Sequence, residues 1–146
     1  MEKTYVIKGK PETKWYLIDA NKQNLGNLAS QVAHILLGKR NPAYTPGFST
    51  GEAVIVINAK GIQVNPTREK EKIYYRHSNY PGGLKEVPYP KQLQNHPDRI
   101  ITAAVWGMLP HNRYGRQLLK RLKVYAGAHH PHAGQMPEII ELASKE

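Results

Sequence analysis

Trp15–Ile57 reads WYLIDANKQNLGNLASQVAHILLGKRNPAYTPGFSTGEAVIVI, and the order of apolar patterns inside it decides the fold. Trp15–Ile18 is aromatic and β-branched, the composition of a strand, and a polar turn follows through Asn21 to Asn24. Leu25, Leu28, Ala29, Val32, Ile35 and Leu36 then recur at helical spacing, with Asn24 placed as N-cap and Gly38 as the C-terminal stop. The Gly, Pro and hydroxyl residues of the run up to Gly51 predict an ordered loop. Ala53–Ile57 is apolar without alternation, as expected of a central strand covered on both faces. Strand, helix and strand make a βαβ unit, so the chain is of the α/β class with a parallel or mixed sheet.

Beyond that unit the signals are shorter. Lys70 to His77 (KEKIYYRH) reads as a strand ending before the turn YPGG at Tyr80–Gly83. Helices are expected from Pro90, again after Pro97 as far as Met108, and from Asn112 to about Leu122, with a short strand at Val124–Ala126. Gly127–Pro137 has no period and reads as an extended arm, and the last nine residues make at most a short amphipathic helix. Without internal repeats or a Gly/Ser linker, the 146 residues form a single domain: an N-terminal extension over 1–14, an α/β core over 15–126 and a C-terminal arm over 127–146.

Charge narrows the function. The chain carries 21 Lys and Arg against 11 Asp and Glu, a net charge of +10, which favours a polyanionic partner. No carboxylate lies between Asp19 and Glu52 or between Asp98 and Glu138. The second gap holds Arg99, Arg113, Arg116, Lys120, Arg121 and Lys123. Arg113, Arg116 and Lys120 fall at i, i+3 and i+7, one side of a helix whose Leu118, Leu119 and Leu122 turn to the core. A basic helix facing only water usually mixes both signs, and this one does not. Tyr74, Tyr75, Arg76, His77, Tyr80, Tyr114 and Tyr125 interleave rings with charge; Arg grips phosphate while Tyr and His stack on unpaired bases, a mixture suited to irregular folded RNA. Tyr75 and Tyr125 are the first choices for core tyrosines with bonded hydroxyls. Gly82 and Gly83 either admit a sugar-phosphate backbone or serve the turn alone.

Other chemistries find little support. Cysteine is absent, which removes disulfides, thiolate catalysis and cysteine-based zinc sites. There is no phosphate-binding Gly-Lys-Ser/Thr loop, nucleophile elbow or GxGxxG turn. Asp19 and Glu52, near strand ends, are the one pair that metal-dependent phosphodiester cleavage would use, but capping or pairing with Lys or Arg is the plainer reading. His129, His130 and His132 invite a metal but lack a completing Cys or carboxylate, so they are read as stacking on bases or donating to phosphates. No metal, cofactor or small-molecule substrate is expected. No apolar run reaches the roughly 20 residues of a membrane span and the start lacks a signal-like apolar centre, so the chain reads as soluble and intracellular, with no membrane partner.

Five blocks, taken together, carry a resemblance: WYLIDANKQNLGNLAS at Trp15, YTPGFSTGEAVIVINA at Tyr44, YYRHSNYPGGLK at Tyr74, GMLPHNRYGRQLLKRLKVYAG at Gly107 and HPHAGQMP at His130. Nearly the full length resembles the ribosomal large-subunit protein 13 family in its bacterial and organellar form. That resemblance implies a three-layer α/β/α domain around a four-stranded, mainly parallel sheet. It also implies a structural, non-catalytic role in the large subunit: binding large-subunit ribosomal RNA beside neighbouring ribosomal proteins and supporting early assembly, in a bacterial cytoplasmic, chloroplast or mitochondrial ribosome. Mapped onto this chain, the RNA-facing positions are Lys39, Arg40 and Tyr44, the turn from Arg76 through His77, Tyr80, Gly82 and Gly83 to Lys85, and the helix of Arg113, Arg116 and Lys120. Arg121, Lys123 and the three histidines join them on the charge reading. Two departures stand out. Trp106 replaces a frequent Lys or Arg and either stacks on a base or packs in the core; Asn79 replaces an expected glycine, and asparagine tolerates left-handed backbone angles. The competing reading is a free RNA-binding regulator acting outside the ribosome.

Overall fold

The computed structural model describes Gly9 and residues 11–142; most of the 1–14 extension and residues 143–146 lie outside the described part. The strands β1 (Trp15–Asp19), β2 (Ala53–Ile57), β5 (Leu122–Val124) and β6 (Glu138–Ile139) form one sheet in the order β5-β2-β1-β6. Every pairing in it is parallel: Trp15 is opposite Ala53, Val54 opposite Leu122, and Tyr16 opposite Glu138. Helices cover both faces, as the α/β/α expectation requires. β2 is central, and Ala53 to Val56 are all buried, which is why its sequence is apolar without alternation.

Helix α1 (Leu25–Leu36) starts and stops as its sequence predicts. The Asn24 side chain accepts from the Gly26 N–H at 3.0 Å. At the other end Gly38 N–H donates to Ile35 O and Lys39 N–H to His34 O, the paired bonds of a Schellman termination, with Gly38 at φ +77°. The buried stripe Leu28, Val32, Ile35 and Leu36 meets Ile18, Val54, Ile100, Ile101 and Val105, the latter three from α4 (Pro97–Met108). Each such side chain contributes roughly 1.5–3 kcal/mol of transfer free energy.

Several expectations are corrected. Residues 66–71 form a short helix, α2 (Pro66–Glu71), so the following strand begins at Ile73 rather than Lys70. Asn65 accepts from Thr67 N–H at 3.2 Å and Pro66 occupies the first turn, a start signal that outweighs the charged KEK run. Strand β3 (Ile73–His77) gains an unforeseen antiparallel partner, β4 (Leu84–Pro88), whose LKEVP sequence carries no alternation of its own and is held by the turn between them. Helix α3 (Tyr89–Asn95) follows directly. Helix α5 (Arg113–Leu119) ends three residues earlier than expected, and Leu122 already belongs to β5, in place of the strand expected at Val124–Ala126; the ladder onto β2 continues only as far as Tyr125 N–H to Val56 O. Among its described residues the arm contains a 3-10 turn, Ala133–Gln135, and then Glu138–Ile139 is strand, not helix. Pairing with Tyr16 and Leu17 on the open edge of β1 satisfies backbone groups that an isolated short helix would leave to water, and β-branched isoleucines suit it. Among the described residues no helix is long and apolar enough to cross a membrane.

Candidate nucleic-acid interface

The two acid-free stretches meet in space. After α1 the chain turns through Asn41, whose side chain accepts from Ala43 N–H at 3.0 Å, and passes Tyr44 and Phe48 before entering β2. Tyr114 on α5 donates its hydroxyl proton to the Phe48 carbonyl at 3.0 Å, and the Arg121 guanidinium donates to the Ser49 hydroxyl. These bonds dock the loop that carries exposed Lys39, Arg40 and Tyr44 against the α5 region. Burial pushes the Tyr114 hydroxyl pKa up, Tyr44 adds to the rise, and Arg121 opposes it, so the phenol stays a proton donor at neutral pH.

Helix α5 presents the expected cations. Asn112 caps it, accepting from Gly115 N–H at 2.9 Å. Gly115 is where the chain tolerates no side chain: a Cβ there would collide with the Pro110 carbonyl oxygen, far inside van der Waals contact. That close approach folds the α4–α5 corner tightly and turns Leu118 into the core, leaving Arg113, Arg116 and Lys120 exposed. Arg121 and Lys123 behave differently. Both are half-buried, Arg121 held by Ser49 and Lys123 on β5 opposite Ile55.

The carboxylate that follows the loop in sequence is withdrawn from this surface. Glu52 is 3% exposed, and burial raises its pKa against the opposing pull of Lys14 and Arg40. Asp19 lies at the other end of the sheet. Parallel pairing sets Asp19 opposite Ile57, so from Glu52 the strand runs five residues, roughly 16 Å, to reach it. Asp19 accepts from Asn21 N–H at 2.8 Å and the Asn58 amide at 3.0 Å. The two carboxylates therefore cannot share a metal or a proton, and the phosphodiesterase arrangement is overturned.

The β3–β4 hairpin forms a second basic patch. Arg76 and Lys85 stand directly opposite one another, exposed on one face of the ladder. Like charges so placed repel and destabilise a hairpin unless an anion is nearby. With His77 and Ser78 they line a cleft of about 430 Å³. The turn is tight: Ser78 N–H donates to Gly83 O, Gly83 N–H to Tyr80 O, and Asn79 and Gly82 take φ +66° and +69°. Asn79 thus adopts the left-handed angle expected of it. His77 Nδ1 accepts from Asn79 N–H at 2.9 Å, which places any ring proton on Nε2. Tyr80 is 76% exposed at the tip. Tyr75, expected in the core, is 64% exposed, and its neighbour Tyr74 is the inward one, since alternate strand residues face opposite sides.

The histidines divide. His132 is half-buried: its ring stacks on Trp15 with centroids 5.4 Å apart, and Nε2 lies 2.6 Å from the Tyr125 hydroxyl, the bonded phenol expected at that tyrosine. His130 Nδ1 accepts from His132 N–H at 3.2 Å. These two fasten the arm so that β6 reaches β1, a role sequence reading missed because nothing in HHPH names Trp15 as a partner. His129 is exposed. Among the described residues no group of three or more His, Asp or Glu converges as a metal site.

Residues 13–131 match the family model described as Ribosomal protein L13. The chain belongs to the ribosomal protein L13 family. Relatives carrying the name large ribosomal subunit protein uL13 are similar over nearly their whole length. That of Symbiobacterium thermophilum is 49% identical over 143 residues, 97% of this chain and 100% of the relative. Those of Herpetosiphon aurantiacus and Chlorobaculum parvum are 51% and 53% identical, covering 94% and 92% of this chain and 96% and 91% of theirs. In this member of the L13 family the matched region spans both basic patches and stops just short of His132.

Proposed function

We propose that the chain is a structural constituent of the large ribosomal subunit, binding large-subunit ribosomal RNA without catalysing a reaction and contributing to early subunit assembly. The observation that carries this reading is the docking of two acid-free stretches into one basic surface at α5, with the neighbouring Glu52 buried. Lys39, Arg40, Tyr44, Arg113, Arg116 and Lys120 make the main RNA contacts, and Arg76, His77, Tyr80 and Lys85 make a second set, with Gly82 and Gly83 shaping the turn. Arg121, His130 and His132 act from behind, holding loop and arm in place; Lys123 and His129 stand at the margin. Phosphate contacts supply affinity, and the shape of folded RNA supplies most of the selectivity. Neighbouring ribosomal proteins are the other partners, in a bacterial-type ribosome. The full-length similarity to proteins named for the large subunit favours this over a free regulator.

Sedimentation tests it. In a gently lysed extract at moderate salt, the protein should travel with the large subunit through a sucrose gradient. Sedimentation as a free protein would overturn the ribosomal reading.

A further inference from the structure

Between α4 and α5 lies an open cleft of about 490 Å³ lined by Thr102, Trp106, Arg116, Leu119 and Lys120. Its lining is almost wholly apolar, yet two exposed cations one helical turn apart stand on its α5 side and no carboxylate lines it. The indole is braced: the His111 ring stacks on it with centroids 4.8 Å apart. Gly115 lies on the other side of the corner, where its Cβ position stands in ordinary van der Waals contact with indole Cζ3, so the ring packs on the start of α5. Thr102 spends its hydroxyl proton on the Asp98 carbonyl at 2.8 Å and keeps only acceptor capacity.

A flat aromatic wall, an apolar floor at Leu119 and a cationic rim together suit one chemical group: a planar ring attached to a phosphate. We propose that this cleft receives one unpaired nucleotide of the bound RNA, its base stacked against Trp106 and its phosphates held by Arg116 and Lys120. Stacking is sequence-tolerant because every base has a π face, and the Thr102 oxygen, left only to accept, can meet an edge N–H that every base offers. A peptide would find few backbone partners in a lining this apolar, and a duplex presents no free base to fill it. This inference rests on the RNA-binding reading above and adds to it a specific subsite, formed by the indole that the sequence left between base stacking and core packing.

The test uses the full chain with deproteinised bacterial large-subunit RNA, comparing wild type with Trp106→Leu and Trp106→Phe by filter binding and tryptophan emission. Trp106→Leu should bind at least about fivefold more weakly, the low end of what losing one stacked base costs, with an unchanged salt slope. Trp106→Phe should recover most of that affinity yet lose the Trp106 share of the quenching that RNA causes in the wild type, the remaining emission coming from Trp15. A blunt RNA duplex should cause no quenching that depends on Trp106. Undiminished binding by Trp106→Leu, quenching in Trp106→Phe as large as in the wild type, or Trp106-dependent quenching by duplex would each overturn the subsite while leaving RNA binding standing. Failure of the wild type to bind the RNA at all would overturn the reading beneath it as well.

Discussion

The Tyr114 hydroxyl donates to the Phe48 carbonyl across 66 residues of sequence, at 3.0 Å. With the bond from Arg121 to Ser49 it turns two separately basic stretches into one surface. The loop has no regular structure, so these bonds and its own turns are what fix it; a preset loop orders less on meeting RNA and binds with less entropic loss.

Tyr114→Phe should therefore cost about 1 kcal/mol or less in denaturant unfolding, since water can replace the donor at the exposed Phe48. Its clearer mark should be faster hydrogen exchange at the Phe48 amide, which donates to Thr45 O. Unchanged exchange there would mean the loop is held without this bond.

Arg116→Ala and Lys120→Ala should each weaken RNA binding and flatten its salt dependence by roughly 0.7 to 0.9 in log–log slope for every phosphate the variant no longer neutralises. Lys60→Ala is the comparison. Lys60 is exposed beyond the C-terminal end of β2, away from α5, and its removal should leave the slope as it was. Equal flattening in all three variants would mean that net charge matters and the α5 surface does not.

Local signals explain what sequence could foretell. The βαβ unit was legible because Asn24, the α1 stripe, Gly38 and the unbroken AVIVI run each act within a few residues and all agree. The same holds for Arg113, Arg116 and Lys120, whose spacing sets their face. Strand β4 was not legible, because LKEVP becomes a strand through its pairing with β3, and neither was β6, because the edge of β1 lies more than a hundred residues away. Arg121 shows the same limit within the interface. By sequence it is one more cation; only the fold sets Ser49 beside it.

Gly115→Ala should destabilise the protein by about 1–3 kcal/mol, the usual cost of an added methyl group that backbone must move to admit. The obstacle is the Pro110 carbonyl oxygen, which occupies the place the new Cβ would take, and no side-chain rotamer relieves it. Thermal unfolding would show the effect, and RNA affinity should fall with it, because the α4–α5 corner positions Arg113 and Arg116. A variant as stable as wild type would show that the corner can open at little cost.

Glu52→Gln should raise the melting temperature at neutral pH. Burial holds the Glu52 pKa above the ordinary carboxylate value, so the folded state binds its proton more tightly than the unfolded chain does. That group's favourable contribution is complete below the unfolded pKa and disappears as pH rises through the folded one. The advantage of Gln should accordingly shrink on going from pH 7 to pH 4. An advantage that grows toward acid pH would mean that Lys14 and Arg40 dominate the site.

Tyr74 gives the alkaline counterpart. Its hydroxyl is buried without a hydrogen-bond partner, and its pKa is pushed up to about 12 from the usual 10, first by burial and then by Tyr89. A raised folded pKa means that the stabilising contribution is whole below pH 10 and is lost as pH climbs through 12. Tyr74→Phe should thus be neutral or stabilising, by on the order of 1 kcal/mol, since it removes a polar group that burial leaves unpaired. The variant should also lose stability less steeply between pH 10 and 12. Ultraviolet titration of the folded protein should lose its most alkaline phenolate step in the variant. Marked destabilisation by Phe would reveal that the hydroxyl is bonded after all, and the unpaired reading would fall with it.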